Sequence, residues 1–144
     1  PAFADGSGSR GDSLLDAQLV GSTPAVSPLI AGIKPGSLPW VNESSRVRVR
    51  MDGQIRVDIE GLVVPSPPQS GTNPVASVIA TLVCDGMVAG STKPFALSSD
   101  GEGSTSGMIS VPGHCVDPVV LIQPAKLNVY IASTVGDHEE GDDA

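Results

Sequence analysis

Aromatic side chains are scarce: Phe3, Trp40, Phe95 and Tyr130 make up 3% of the chain. Sugar-binding surfaces stack their ligands on exposed rings, so a carbohydrate platform is poorly supported. Positive charge is equally short, with 8 basic against 16 acidic side chains and a formal net charge of -8. That balance repels phosphate backbones, and nucleic acid is not an expected partner. Only His114 and His138 could act as bases near neutral pH, which leaves acyl-transfer chemistry short of a base. No apolar run approaches the ~20 residues of a membrane helix. The longest candidate, Val75 to Cys84, has the length of a strand. Long helix-forming stretches of Ala, Leu, Glu and Lys are also missing, while 17 glycines and 13 prolines interrupt the backbone repeatedly. These features predict a soluble, all-β chain with no membrane insertion. At 144 residues it suits one domain with an ordinary core.

What is present is clearest between Val47 and Val64. Val47 and Val49 alternate with Arg46, Arg48 and Arg50; Ile55, Val57 and Ile59 alternate with Arg56, Asp58 and Glu60. One face is apolar and the other charged, the period of a half-buried strand. A two-residue Asp52-Gly53 turn would set Val49 against Arg56 and place a guanidinium in the apolar row. A three-residue loop, Met51-Asp52-Gly53, with Gly53 left-handed in a G1 bulge, instead pairs Val49 with Ile55, Val47 with Val57 and Arg46 with Asp58.

Elsewhere the pattern is coarser. Residues 1–13 read as a flexible Gly/Ser-rich arm, 14–135 as the folded domain and 136–144 as a solvated acidic tail. Leu15, Ala17 and Leu19 alternate with Asp16 and Gln18 as a first strand. Ser27 to Ile33 suggests a second, before a Lys34-Pro35-Gly36 turn, and Trp40 reads as a core plug. Gly61 marks a bend, and Pro65 to Pro74 carries the chain between sheets. In the next strand Val78, Ala80, Leu82 and Cys84 share the core face. Met87–Ala89 and Phe95–Leu97 are short strands, Ser98–Gly107 a polar loop, and Met108–Val111 a resumption of the sheet. Val119–Ile122 and the alternating Leu127, Val129 and Ile131 close the fold. The sum is a β-sandwich of about seven to nine mainly antiparallel strands, with a barrel as the competing architecture.

Two cysteines, Cys84 and Cys115, in a low-lysine, Ser/Thr/Gly-rich chain favour one disulfide and an oxidising, extracellular compartment. Two buried thiols in a cytosolic core are the alternative. No basic leader or hydrophobic leader core is present, although Ala2-Phe3-Ala4 fits a signal-cleavage pattern.

Candidate chemical motifs dissolve on inspection. Gly6-Ser7-Gly8-Ser9-Arg10-Gly11 satisfies Gly-x-Gly-x-x-Gly but lacks the strand and helix that make it a pyrophosphate cradle. Gly103-Ser104-Thr105-Ser106-Gly107 has threonine where a nucleophile elbow needs serine. A tetrahedral metal site from Cys84, Cys115 and His114 lacks paired ligand spacing, and the tail carboxylates Asp137, Glu139, Glu140, Asp142 and Asp143 follow no calcium-loop spacing. Arg10-Gly11-Asp12 has the form of an integrin tripeptide, and Asn42-Glu43-Ser44 that of a glycosylation acceptor, with a turn as its simpler role. No cofactor, metal or catalytic residue is expected.

The motifs Ile33-Lys34-Pro35-Gly36, Leu38-Pro39-Trp40, Val47 to Gly53, Val57 to Leu62, Gly71-Thr72-Asn73-Pro74-Val75, Val83-Cys84-Asp85-Gly86 and His114-Cys115, taken together, resemble uncharacterised secreted bacterial all-β proteins, many of them actinobacterial. The resemblance implies export and the disulfide, and supplies no activity. The leading expectation is a non-enzymatic extracellular structural or interaction protein. It would self-assemble into a homo-oligomer or filament by addition of the Leu15, Ala17, Leu19 strand to a neighbour's sheet. The competing arrangement pairs that strand within its own subunit. The alternative function is a monomeric secreted ligand- or surface-binding domain using the loops Pro65 to Pro74 and Ser98 to Gly107.

Overall fold

Alternation of apolar and charged residues builds the first sheet. The computed structural model describes residues 13–135, and the arm 1–12 and segment 136–144 lie outside the described residues. Strands β4 (Ser44–Arg50) and β5 (Gln54–Glu60) form the hairpin with Val49 opposite Ile55, Val47 opposite Val57 and Arg46 opposite Asp58. Gly53 closes the three-residue loop at φ 101°, its N–H donating to the Arg50 carbonyl at 2.9 Å. Val47, Val49, Ile55, Val57 and Ile59 are all buried. Each contributes about 1.5–3 kcal/mol by leaving water, so a one-residue slip that turned all five outward is prohibitive. β1 (Ser13–Ala17) adds antiparallel to β4 and β9 (Gly103–Met108) to β5, giving the order β1-β4-β5-β9. Ser13, expected in the arm, is the first residue of β1 and pairs with Arg50.

The second sheet has the order β2-β12-β10-β6-β7. It is made from β2 (Val20–Gly21), β12 (Ala132–Ser133), β10 (Val119–Pro124), β6 (Ser77–Cys84) and β7 (Met87–Ser91), with β8 (Phe95–Ala96) also on β6. β3 (Lys34–Pro35) and β11 (Val129–Tyr130) form a separate parallel pair. Val78, Ala80, Leu82 and Cys84 meet the inward row of the first sheet, with Trp40, Val120 and Ile122, in one core. The chain is an all-β sandwich. Residues 61–76 carry it from β5 in one sheet to β6 in the other.

Among the described residues seven strands have five or more residues and five have only two, so the elements outnumber the expected seven to nine only through the two-residue pieces. Three segments differ from expectation. Ser27–Ile33 is not a strand but a looped cover, broken by left-handed Ala31 and Gly32, and Lys34–Pro35 is extended rather than a turn. It caps the outer face of the second sheet, where Ile30 and Ile33 pack with Val83, Leu121 and Tyr130. Gly103–Gly107 belongs to a strand, leaving only residues 98–102 as loop, and the sheet ends at Met108. Leu127 is exposed, and the last stretch splits at Ile131 between β11 and β12.

Candidate functional site: the arginine face and the β1 edge

The parity that buries the valines turns the charged residues outward. Asp16 lies opposite Arg48, Arg48 opposite Arg56 and Arg56 opposite Ser106, making one transverse row across all four strands of the first sheet. Arg46 stands opposite Asp58, and Asp58 opposite Ser104, in the next row. Four of the chain's eight basic residues, Arg46, Arg48, Arg50 and Arg56, therefore occupy one face of a protein whose formal net charge is -8.

The pairing among them is uneven. Arg46 donates from Nε and a terminal nitrogen to the two oxygens of Asp16, both at 2.9 Å. That fork holds the Asp16 carboxyl below its ordinary range, chiefly through the hydrogen bonds and against the opposing effect of burial. Arg56 donates to Asp58 on its own strand at 3.0 Å. Both Arg46 and Arg56 are held still more firmly cationic by these hydrogen bonds. Arg48 comes only within 4.0 Å of Asp16, beyond hydrogen-bond distance, and faces Arg56 directly. Like charges in directly opposed strand positions cost stability. A depression of about 550 Å³ lies beside this pair, walled by Asp16, Arg48, Arg50, Gln54, Arg56 and Ser106. Toward the other end of the sheet the lining turns acidic, with Asp58, Glu60 and Glu102 around Arg46.

The expected assembly strand falls at the rim of this face. Leu15 and Ala17 lie in β1, opposite Val49 and Val47, and pair within their own chain. A register shift between Ser13 and Leu15 accommodates Leu14 as an extra residue, and Leu14 and Leu15 both pack half-buried against the main core. Leu19 lies beyond the strand. It is 3% exposed, its N–H donates to Ser45 Oγ at 2.7 Å, and its carbonyl accepts from Asn42 Nδ2 at 3.0 Å. Asn42 Nδ2 also donates to Ser45 Oγ, so this amide is engaged in anchoring the chain between β1 and β4.

Cys84 and Cys115 form the disulfide. The bridge consumes both thiols, which removes a Cys115–His114 dyad and the thiolates of a tetrahedral metal site; His114 itself is exposed. Among the described residues no group of three or more His, Cys, Asp or Glu side chains is placed to hold a metal ion, and no helix is long and apolar enough to cross a membrane. The Gly-x-Gly-x-x-Gly and Arg-Gly-Asp matches, His138 and the carboxylates 137–143 lie outside the described residues. Sequence reasoning placed individual arginines on one strand face but missed the transverse row. The available signal was the bulged-hairpin register, which already opposes Arg48 to Arg56 once Val49 is set on Ile55.

Comparison with known protein families, curated proteins and solved structures finds no match to this chain.

Proposed function

We propose that the protein is a non-enzymatic extracellular interaction module that self-assembles by exchanging β1 between copies. The carrying observation is the position of β1. Among the described residues it is the first strand, it stands at the edge of its sheet, and its ladder partner is β4 alone. Its side-chain anchors are an exposed ion pair and the half-buried Leu14, Leu15 and Ala17, whereas the chain immediately after it is locked at Leu19. A neighbour's β1 can occupy the same register on β4 with the same contacts, and exchange then costs the association entropy together with release of the Leu19 anchor two residues beyond the strand. The disulfide is compatible with an oxidising compartment.

Light scattering and electron microscopy of the full chain over a concentration series test this. A staple across the opposed pair Ala17 and Val47, made by Ala17→Cys with Val47→Cys, ties β1 to its own β4. The native chain should form oligomers that grow with concentration, and the stapled chain should remain monomeric. Equal assembly of both, or a native monomer at every concentration, overturns the reading. The second outcome would favour the monomeric ligand-binding alternative. One feature supports that alternative: buried Asn73 donates to the carbonyls of Leu97 and Ser98, drawing loop 65–74 against loop 98–102.

A further inference from the structure

Charge divides unevenly between the two sheets. The strands of the second sheet, β2, β12, β10, β6, β7 and β8, contain no charged residue, and residues 20–42 and 119–135 hold Lys34 and Lys126 as their only charges. Asp85 and Asp117 stand in connections at the Cys84 end of that sheet, whereas Asp16, Asp58 and Glu60 belong to the first. Loop 22–33 covers the outer face of the second sheet. It turns Ile30 and Ile33 inward and leaves Val26 78% and Leu29 65% exposed. We propose that this loop, with Lys34 and Lys126, docks the protein peripherally on an anionic lipid surface, Val26 and Leu29 entering the headgroup boundary.

The backbone of the loop suits a low-dielectric surroundings. A segment that leaves water must bring few unpaired N–H groups with it. Pro24 and Pro28 have none. The Thr23 N–H donates to Ser27 Oγ at 2.8 Å, the Val26 and Ser27 N–H groups to the Thr23 carbonyl at 3.2 and 2.9 Å, and the Ile30 N–H to the Ile33 carbonyl at 3.0 Å. Within 23–30 this leaves Ala25 and Leu29 to offer an N–H to headgroups. Presentation is also fixed. Ala25 and Ala31 are held left-handed at φ 70° and 53°, a strain that the surrounding bonds maintain, and the Tyr130 hydroxyl clamps the Pro28 carbonyl at 2.6 Å.

The side chains favour lipid over a protein partner. The exposed residues of the tip 24–30 are Ala25, Val26, Pro28 and Leu29, none with a hydrogen-bonding side chain. Protein interfaces fix their register through a polar rim, whereas a bilayer asks only for apolar insertion and opposite charge. Lys34 follows directly on the loop, and Lys126 precedes Leu127, itself 62% exposed. The first sheet and its carboxylates lie about 10 Å behind, beyond the Debye length of about 8 Å at physiological salt, so they oppose docking weakly. The inference is independent of strand exchange, since β1 belongs to the other sheet.

Flotation of the full chain with vesicles tests it. The chain should float with mixed phosphatidylcholine–phosphatidylglycerol vesicles and bind pure phosphatidylcholine about fivefold more weakly or worse. Val26→Ser with Leu29→Ser should weaken binding to the mixed vesicles about tenfold or more, and Lys34→Gln with Lys126→Gln about fivefold or more. Met108→Ser removes an apolar side chain 64% exposed on the first sheet and should change nothing. All five side chains are exposed, and thermal melts of the variants verify that the fold is retained. Flotation that survives the two serines, equal binding to the neutral vesicles, or an equal loss with Met108→Ser overturns the proposal. Absence of flotation overturns it as well, and would assign the loop to a protein partner.

Discussion

Asp16 titrates below the ordinary carboxylate value of 3.8 because its ionised form accepts two hydrogen bonds from Arg46. A carboxyl whose folded pKa is depressed stabilises the fold fully above its unfolded pKa, and that contribution is lost as the pH falls through the folded value. The side chain is 44% exposed, so solvent screening limits the effect to below about 1 kcal/mol. Asp16→Asn should therefore melt slightly lower than the native chain at about pH 6, with the gap closing by about pH 2. A gap independent of pH would show that Asp16 acts through something other than its charge. The buried Tyr130 hydroxyl behaves differently. Desolvation raises its pKa, and its proton is donated to the Pro28 carbonyl at 2.6 Å, which pins loop 22–33 over the second sheet. Nothing in the local pattern around Tyr130 announces that partner, 102 residues away.

Among the elements, the β4–β5 hairpin was legible in the sequence down to its register, because parity, five apolar residues and one left-handed glycine all demand the same answer. β9 was not. Its residues Gly103-Ser104-Thr105-Ser106-Gly107 have no apolar face and read as a loop; they become a strand because β5 offers an open ladder. Gly103 also allows close approach, since a Cβ there would sit 2.5 Å from the Ala96 carbonyl oxygen. Ser27–Ile33 failed in the opposite sense, an apolar stretch whose left-handed residues convert it to a cover. The arginine row inherits both limits, being fixed in β4 and β5 by the hairpin but completed at its ends by pairings no local signal carries. Its cost is measurable. Arg48→Thr removes one of two opposed guanidiniums and installs a strand-favouring residue, at the expense of only a 4.0 Å contact to Asp16. The melting temperature should rise by about 1–3 °C. A fall would mean that Arg48 is well neutralised in solution and that the opposed pair carries no deficit.

Across the whole molecule, the disulfide ties the connection between the two sheets to the end of the central strand. Cys84 closes β6, and Cys115 lies in residues 109–118, which run from β9 in the first sheet to β10 in the second. With a sequence separation of 31, the chain-entropy model gives about 3.5 kcal/mol of stabilisation. A second clasp shares the load. The Asp85 N–H donates to the Val116 carbonyl at 2.9 Å, and the Val116 N–H donates to Asp85 Oδ1 at 2.8 Å. Asp85 is held left-handed at φ 57° to do so. The clasp acts only in the folded state, so it cannot replace the bridge's constraint on the unfolded chain, but it keeps residues 115–116 in place when the sulfurs are gone. The Cys84→Ala, Cys115→Ala double variant should consequently retain its fold while losing about 2–3.5 kcal/mol in urea, with a lower midpoint and a steeper slope because the freed denatured chain exposes more surface. An unchanged midpoint would show that the Asp85–Val116 clasp and the core close the sandwich unaided, and would remove the bridge from any account of how the two sheets are held together.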